Sequence, residues 1–392
     1  MKIMEDYSHL QQKYIVNTYV NRQITLVRGR GVFLFDEKEQ KYLDLMSNYG
    51  VSIFGYSHPA IVKSLTAQLK LLTTLHGSFN NCVRAKASQS LVQRCGEKYS
   101  QVYWSNSGAE AIEAALKFAV LATGKRKFIV CQNGYHGKTL GALSVTADEK
   151  YKKPFEPLLW QFKTIPFDDP HALQNTIDTH TTGFIVEPIQ GEGGIFVPKP
   201  GYLKEAQKIC NKNGVLLIVD EIQTGVGRTG VFLAAQKENV VADILCLGKG
   251  LAGGIPVGAT IVNHQVASVI PKHIHTSTFG GNPLACAGVL ATLDLLNAQC
   301  LERILTTGGY FLEKLLTLNS DFISQVRGTG LMLGLAVKEN KRDRMLKLLQ
   351  DNKVLAIPSG EDVIRFLPPY ILEKEHIDFA MEKLKKIFSS LS

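Results

Sequence analysis

One stretch, Gly214 to Gly254, constrains the fold more than any other. Val215-Leu216-Leu217-Ile218-Val219 is an apolar run too short for a helix and rich in branched side chains, which is the pattern of a buried strand. It ends on two carboxylates, Asp220 and Glu221, followed by Ile222-Gln223-Thr224-Gly225. A second short run, Ile244-Leu245-Cys246-Leu247, ends at Gly248-Lys249-Gly250-Leu251-Ala252-Gly253-Gly254. One buried strand thus delivers an acid at its end, and the next delivers a lysine between glycines. In an open α/β sheet the ends of the strands line the ligand crevice, so both side chains are expected there.

The chemistry this suggests is a covalent bond between an amine and a carbonyl. A lysine at a partly apolar site gives up its charge readily and becomes a nucleophile. Glycines on both sides let a cofactor approach the backbone. Pyridoxal phosphate (PLP) needs a lysine on its aldehyde and an acid on its ring nitrogen, and Lys249 with Asp220 supplies both. A lone lysine is ordinarily a solvated surface group, and an acid after a strand serves equally as a turn or cap residue. The apolar, glycine-rich surroundings set Lys249 apart.

Val219-Asp220-Glu221-Ile222-Gln223-Thr224-Gly225-Val226-Gly227-Arg228-Thr229-Gly230 resembles the signature of class-III, or omega, aminotransferases, and Leu247-Gly248-Lys249-Gly250 looks like their PLP-lysine site. Four further blocks agree: Trp104-Ser105-Asn106-Ser107-Gly108-Ala109-Glu110-Ala111, Gly134-Tyr135-His136-Gly137, Glu187-Pro188-Ile189-Gln190-Gly191-Glu192-Gly193-Gly194 and Thr278-Phe279-Gly280-Gly281-Asn282-Pro283-Leu284. The blocks stand in family order over nearly the whole chain. Within the class the chain is most similar to acetylornithine aminotransferases.

The resemblance implies a fold-type-I α/β protein. A large PLP domain with a mostly parallel sheet would span residues 51–295, and a small α+β domain would combine residues 1–50 with 296–392. Strands alternating with helices across residues 102–262 point to the same sheet independently. Lys249 would carry the cofactor and move the proton, Asp220 would hold the ring nitrogen protonated, and Gln223 would bond the ring hydroxyl. Tyr135 would stack on the ring. Ser107, Gly108 and Ala109, at a strand-to-helix turn, would seat the phosphate, a use to which free N–H groups and the helix dipole are suited; ordinary helix capping explains the same residues without a ligand. Thr278 would reach the phosphate of a neighbouring subunit, with Ser277 near substrate, which implies an obligate homodimer. Glu192 would pair with Arg365 and leave it when a dicarboxylate arrives. The position of Lys138 commonly holds an arginine that grips a substrate carboxylate; a lysine there keeps the charge but loses the two-pronged geometry.

The amino donor implied is N-acetylornithine, reacting at its terminal amine, with 2-oxoglutarate as acceptor, a step of arginine biosynthesis. Ornithine, 4-aminobutyrate, a carrier-bound lysine and a diamine are the alternatives that Lys138 leaves open. The fold family also hosts PLP decarboxylases and aminomutases, and a non-catalytic binding role is the remaining class.

The formal net charge of +9 suits an enzyme of anionic substrates. Lys and Arg are spread along the chain, with no run longer than Lys125-Arg126-Lys127, and no helix-turn-helix or zinc-finger spacing occurs, so no nucleic-acid partner is expected. Seven cysteines without a Cys-x-x-Cys pair argue against a disulfide framework and for a reducing, cytoplasmic setting. Met1-Lys2-Ile3-Met4-Glu5-Asp6 does not read as a signal peptide. The most apolar long window, Ile244 to Val262, holds Lys249, Pro256 and five glycines, so no membrane span is expected there. His273 and His275 have no third ligand at suitable spacing, and no metal is expected.

Overall fold

The computed structural model describes residues 6–318, 320–338 and 341–391; all but the last residue of the N-terminal Met1–Asp6 reading lies outside them. A seven-stranded sheet forms its centre, in the spatial order Tyr99–Ser105, Gly258–Asn263, Ile244–Leu247, Leu216–Asp220, Thr181–Val186, Lys127–Cys131 and Gln161–Ile165. Every pairing is parallel except those of Gly258–Asn263 with its two neighbours, so the sheet is mostly parallel as expected. Its inner strands are buried on both faces, which is why they read as unbroken apolar runs. Side chains alternate between two cores. Phe128, Val130, Ile185, Ile218 and Cys246 pack with the helix Gly108–Thr123, while Ile129, Phe184, Leu217 and Leu245 pack with Tyr202–Asn213 and Pro283–Leu295. Fully burying one such side chain contributes about 1.5–3 kcal/mol.

Two smaller sheets flank this centre. One runs Leu26–Arg30, Phe33–Asp36, Lys41–Asp44 and Val354–Leu355; the other runs Ile323–Thr329, Met332–Val337, Val363–Phe366 and Ile357–Ser359. Lys41–Asp44 and Val354–Leu355 pair in parallel, so the hairpin of Phe33–Asp36 and Lys41–Asp44 is completed by a strand from the far end of the chain. Val32, Leu43 and Leu45 share one core with Phe311, Leu335, Phe366, Met381 and Leu384. Arg228, from the Asp220 signature, is buried and donates to Leu331 O (2.9 Å) and Pro368 O (2.6 Å), pinning the C-terminal segments onto the centre. No single helix among the described residues is long and apolar enough to cross a membrane.

This architecture sets three parts of the site side by side. Leu216–Asp220 and Ile244–Leu247 run parallel with Asp220 opposite Cys246, so Asp220 and the Lys249 turn leave the sheet together. Strand alternation turns Asp220 to the face covered by Gly108–Thr123, whose N-terminus is the expected phosphate seat. Val363–Phe366 carries Arg365 in from the C-terminal sheet.

Candidate active site

A cleft of about 520 Å³ opens at the ends of the central strands. Lys249, Asp220, Gln223, Tyr135, Lys138 and Glu192 all line it, as do Gly108 and Ala109. These residues span more than 140 positions of sequence, and the fold gathers them into one place. A cavity of about 580 Å³ between Phe54, Cys300, Arg303 and Tyr370 contains none of them.

Lys249 opens a short 3₁₀ turn directly after its strand, at φ 45°. A non-glycine residue in this left-handed region costs about 1–2 kcal/mol, which the packed turn must hold in place. Gly250 permits that packing, since a Cβ there would come within 2.6 Å of Ile53. Burial first, and then the Arg365 charge, lowers the Lys249 amine from 10.5 to about 8. The shift raises the neutral fraction near neutral pH above that of a free lysine, which is what a nucleophilic lysine requires.

Asp220 is buried, and its Oδ2 lies 2.7 Å from His136 Nδ1; Oδ1 accepts the Ile222 N–H at 3.0 Å. Burial alone would lower His136, but the bond to Asp220 and its charge prevail, and the imidazole pKa is raised. His136 follows Tyr135 on a loop whose Gly137, at φ 135°, would drive a Cβ to 2.7 Å from Ala109. That close approach presses the Tyr135 loop onto the N-terminus of Gly108–Thr123. Tyr135 N–H donates to Glu187 Oε1 at 3.0 Å, and burial pushes its hydroxyl up to about 12.

Ser107 caps the helix by accepting the Glu110 N–H at 3.2 Å, so capping and the phosphate seat share one turn. The backbone N–H groups of Gly108 and Ala109 line the cleft without a hydrogen-bond partner among the described residues. A phosphate suits them.

Arg365 is 0% exposed at its side chain. It donates through Nη2 to Glu192 Oε2 (2.7 Å) and Pro358 O (3.2 Å), and through Nη1 to Gly191 O (2.9 Å) and Gln223 Oε1 (3.2 Å). Its Nε is buried and unpartnered. A guanidinium only donates, so the Gln223 oxygen faces Arg365 and the Gln223 NH₂ is left to donate to a ring oxygen. Glu192 is 32% exposed and can exchange Arg365 for water.

Lys138 stands exposed at the mouth, its Nζ 4.6 Å from the Tyr151 ring centroid. Lys150 sits 4.8 Å from the same ring but is paired with Asp148 at 2.6 Å; Lys138 has no carboxylate partner among the described residues. Ser277 and Thr278 do not line this cleft; Ser277 Oγ accepts Asn106 Nδ2 (3.2 Å) and Gly280 N–H (3.0 Å).

Five cleft residues escaped the sequence reading as site members: Gly137, Thr139 and Ile222, and two that carry titratable groups. His136 touches Asp220, and Glu187 ties Tyr135 to Gly191. Glu187 carried a usable signal, an acid directly after the buried strand Thr181–Val186, as Asp220 ends its own strand.

PLP fits this donor set: a lowered amine, a buried acid for the ring nitrogen, a free amide donor for the ring hydroxyl, an aromatic side chain and two free N–H groups for the phosphate. Fold and site together define a PLP-dependent transferase of fold type I. The chain belongs to the class-III aminotransferases, whose family model matches residues 14–388. It is 39% identical over 380 residues to the acetylornithine aminotransferase of Methanopyrus kandleri, covering 97% of this chain and 98% of that one. It is also 39% identical to the ornithine aminotransferase of a Geobacillus species, with the same coverage. Among solved structures it resembles ornithine aminotransferase from Toxoplasma gondii (TM-score 0.95, 34% identity, 100% and 96% covered). Acetylornithine aminotransferase from Elizabethkingia anophelis is also similar (TM-score 0.86, 33% identity, 98% of each chain covered). The protein is a PLP-dependent transaminase that takes an amino donor and a keto acid.

Proposed function

We propose that the donor is N-acetylornithine, reacting at its terminal amine, and the acceptor 2-oxoglutarate. The observation that carries this reading is the Glu192–Arg365 pair. With Glu192 in place the buried guanidinium is masked, and the cleft admits an amine on a carbon that bears no carboxylate. With Glu192 turned to solvent, Arg365 offers its fork to one carboxylate of a dicarboxylate.

PLP, when bound, supplies an electron sink for the carbanion at the reacting carbon. Lys249 Nζ would hold the cofactor at rest and, when free, would serve as the base that moves the proton of the donor carbon. Asp220, oriented by His136, keeps a proton at the ring nitrogen. Gln223 would donate to the ring hydroxyl, Tyr135 would cover the ring, and Ser107, Gly108 and Ala109 would hold the phosphate. Lys138 meets the donor carboxylate at the mouth. A free cation there repels the α-ammonium of ornithine, and acetylation removes that charge, which favours the acetylated donor. The equal similarity to an ornithine aminotransferase makes ornithine the second reading.

A homodimer is part of the proposal. Leu71, Phe79 and Phe279 are exposed, and Arg84 ties their segments together through Leu75 O, Phe79 O and Gly281 O. An apolar face beside Thr278 suits a second copy, to which Thr278 would lend its hydroxyl at the phosphate and Ser277 its hydroxyl near substrate. Residues 1–50 with 296–392 would form the small domain and 51–295 the large cofactor-binding one, and the enzyme would act in arginine biosynthesis in the cytoplasm.

The test is spectral. N-acetylornithine should bleach the visible band of the bound cofactor, and 2-oxoglutarate should restore it. Bleaching by ornithine alone would select the second reading. Inertness to both would send the search to 4-aminobutyrate, carrier-bound lysine or diamines.

A further inference from the structure

We propose that Glu187 is a positioning residue of the transamination, whose carboxylate ties the loop carrying Tyr135 to the loop carrying Glu192. It fixes the aromatic cover and the acid of the keto-acid clamp relative to one another. The proposal rests on the roles given above to Tyr135 and to the Glu192–Arg365 pair.

Glu187 directly follows the wholly buried strand Thr181–Val186, and Pro188 after it holds its backbone extended, so it stands on a rigid base. The residue is 7% exposed and lines the cleft. One oxygen, Oε1, accepts the Tyr135 N–H at 3.0 Å; the other, Oε2, accepts the Gly191 N–H at 3.1 Å. No lysine or arginine bonds to it among the described residues; burial, with the Asp220 charge beside it, raises its carboxyl to about 7 against the opposing pull of His136 and the two backbone donors. Glu187 is thus a buried carboxyl bonded to both loops, with no lysine or arginine to hold it, so its two backbone hydrogen bonds fix its place.

The Gly191 peptide is consequently held at both ends, its N–H by Glu187 and its C=O by Arg365 Nη1 (2.9 Å) and Ser359 Oγ (2.7 Å). The next backbone carbonyl, that of Glu192, is held by the Gly360 N–H at 2.8 Å. Glu192 therefore swings on an anchored backbone, and only its side chain moves when Arg365 is surrendered. Gln190 Nε2 to Gln132 O, at 2.6 Å, makes a second tie between the same loops. Losing Glu187 thus loosens the pair of loops without melting them.

The experiment compares the wild-type holoenzyme with Glu187→Gln and Glu187→Asp. Glutamine keeps the volume and one acceptor but turns an NH₂ toward the other N–H. Aspartate keeps the charge but is one methylene too short to span both donors. The readouts are the visible circular dichroism of the bound cofactor without substrate, which reports ring orientation, and KM against kcat for each substrate. Both variants should lose half or more of the dichroic signal and raise KM for 2-oxoglutarate about tenfold, the weight of one lost hydrogen bond to a charged group. Wild-type values in Glu187→Gln would overturn the proposal. So would full rescue by Glu187→Asp, which would show that charge alone matters. A wild-type enzyme that holds cofactor but ignores N-acetylornithine would count against the donor assignment only, since the dichroism needs no substrate.

Discussion

Replacing Arg365 by leucine should separate the two halves of the reaction. In the resting site the guanidinium contacts Glu192 through Nη2 alone, while Nη1 is spent on Gly191 O and Gln223. A dicarboxylate that displaces Glu192 therefore exchanges one carboxylate contact for another, and the net gain comes from the better, forked geometry and not from a whole ion pair. Truncating one partner of a buried charged pair costs about 2–5 kcal/mol, and the exchange places this case at the low end, about 2–3 kcal/mol. At about 1.4 kcal/mol per factor of ten, kcat/KM for 2-oxoglutarate should fall about 30- to 150-fold. The donor half-reaction, in which Glu192 masks Arg365, should change only a few-fold. Loss of the cation should also raise the Lys249 pKa, because Arg365 is the charge that helps to lower it. Stopped-flow absorbance resolves the two halves as bleaching by donor and recovery with 2-oxoglutarate. Equal slowing of both halves, or an unchanged recovery, would refute the clamp.

Four further outcomes are expected. Lys249→Ala should abolish turnover; a variant with measurable wild-type-like activity would sink the assignment of Lys249. Reloading of PLP into cofactor-free protein should quicken with pH and level off above about 8, because the neutral amine reacts; a midpoint near that of a free lysine would contradict the lowered amine. The same shift carries a stability sign. Between about 8 and 10.5 the unfolded chain binds a proton that the folded cofactor-free chain does not, so stability rises with pH across that window, and below it Lys249 is a penalty of up to about 3 kcal/mol. Lys249→Met should raise the cofactor-free Tm at pH 7 and leave it nearly unchanged at pH 11. Lys138→Arg should alter kcat/KM between N-acetylornithine and its rivals; no change with any donor would remove Lys138 from specificity.

Much of this site is legible without a structure, because the residues concerned carry strong local signals. Asp220 ends a five-residue apolar run, and Lys249 sits between glycines after another, so strand ends and chemistry coincide. The cap at Ser107 is a strand-to-helix signal as well. The edge strand Gln161–Ile165 went unread because most of it is exposed and carries no apolar run. The helix Tyr7–Tyr14 went unread because it buries nothing. Val354–Leu355 is two residues long and becomes a strand only because Lys41–Asp44 lies beside it.

Sequence by itself pointed to the class of fold and, through a family resemblance carried by short motifs, to the cofactor chemistry, and it put forward Asp220 and Lys249 as the acid and the amine. Tertiary structure alone decided which groups face one another. It put His136 on Asp220, masked Arg365 with Glu192, turned the Gln223 oxygen toward Arg365, and left Lys138 over Tyr151 without a carboxylate. It also tied Glu187 to Tyr135, 52 residues away in the chain. Contacts between residues so far apart in the chain are set by strand order and loop packing, and no local periodicity encodes those.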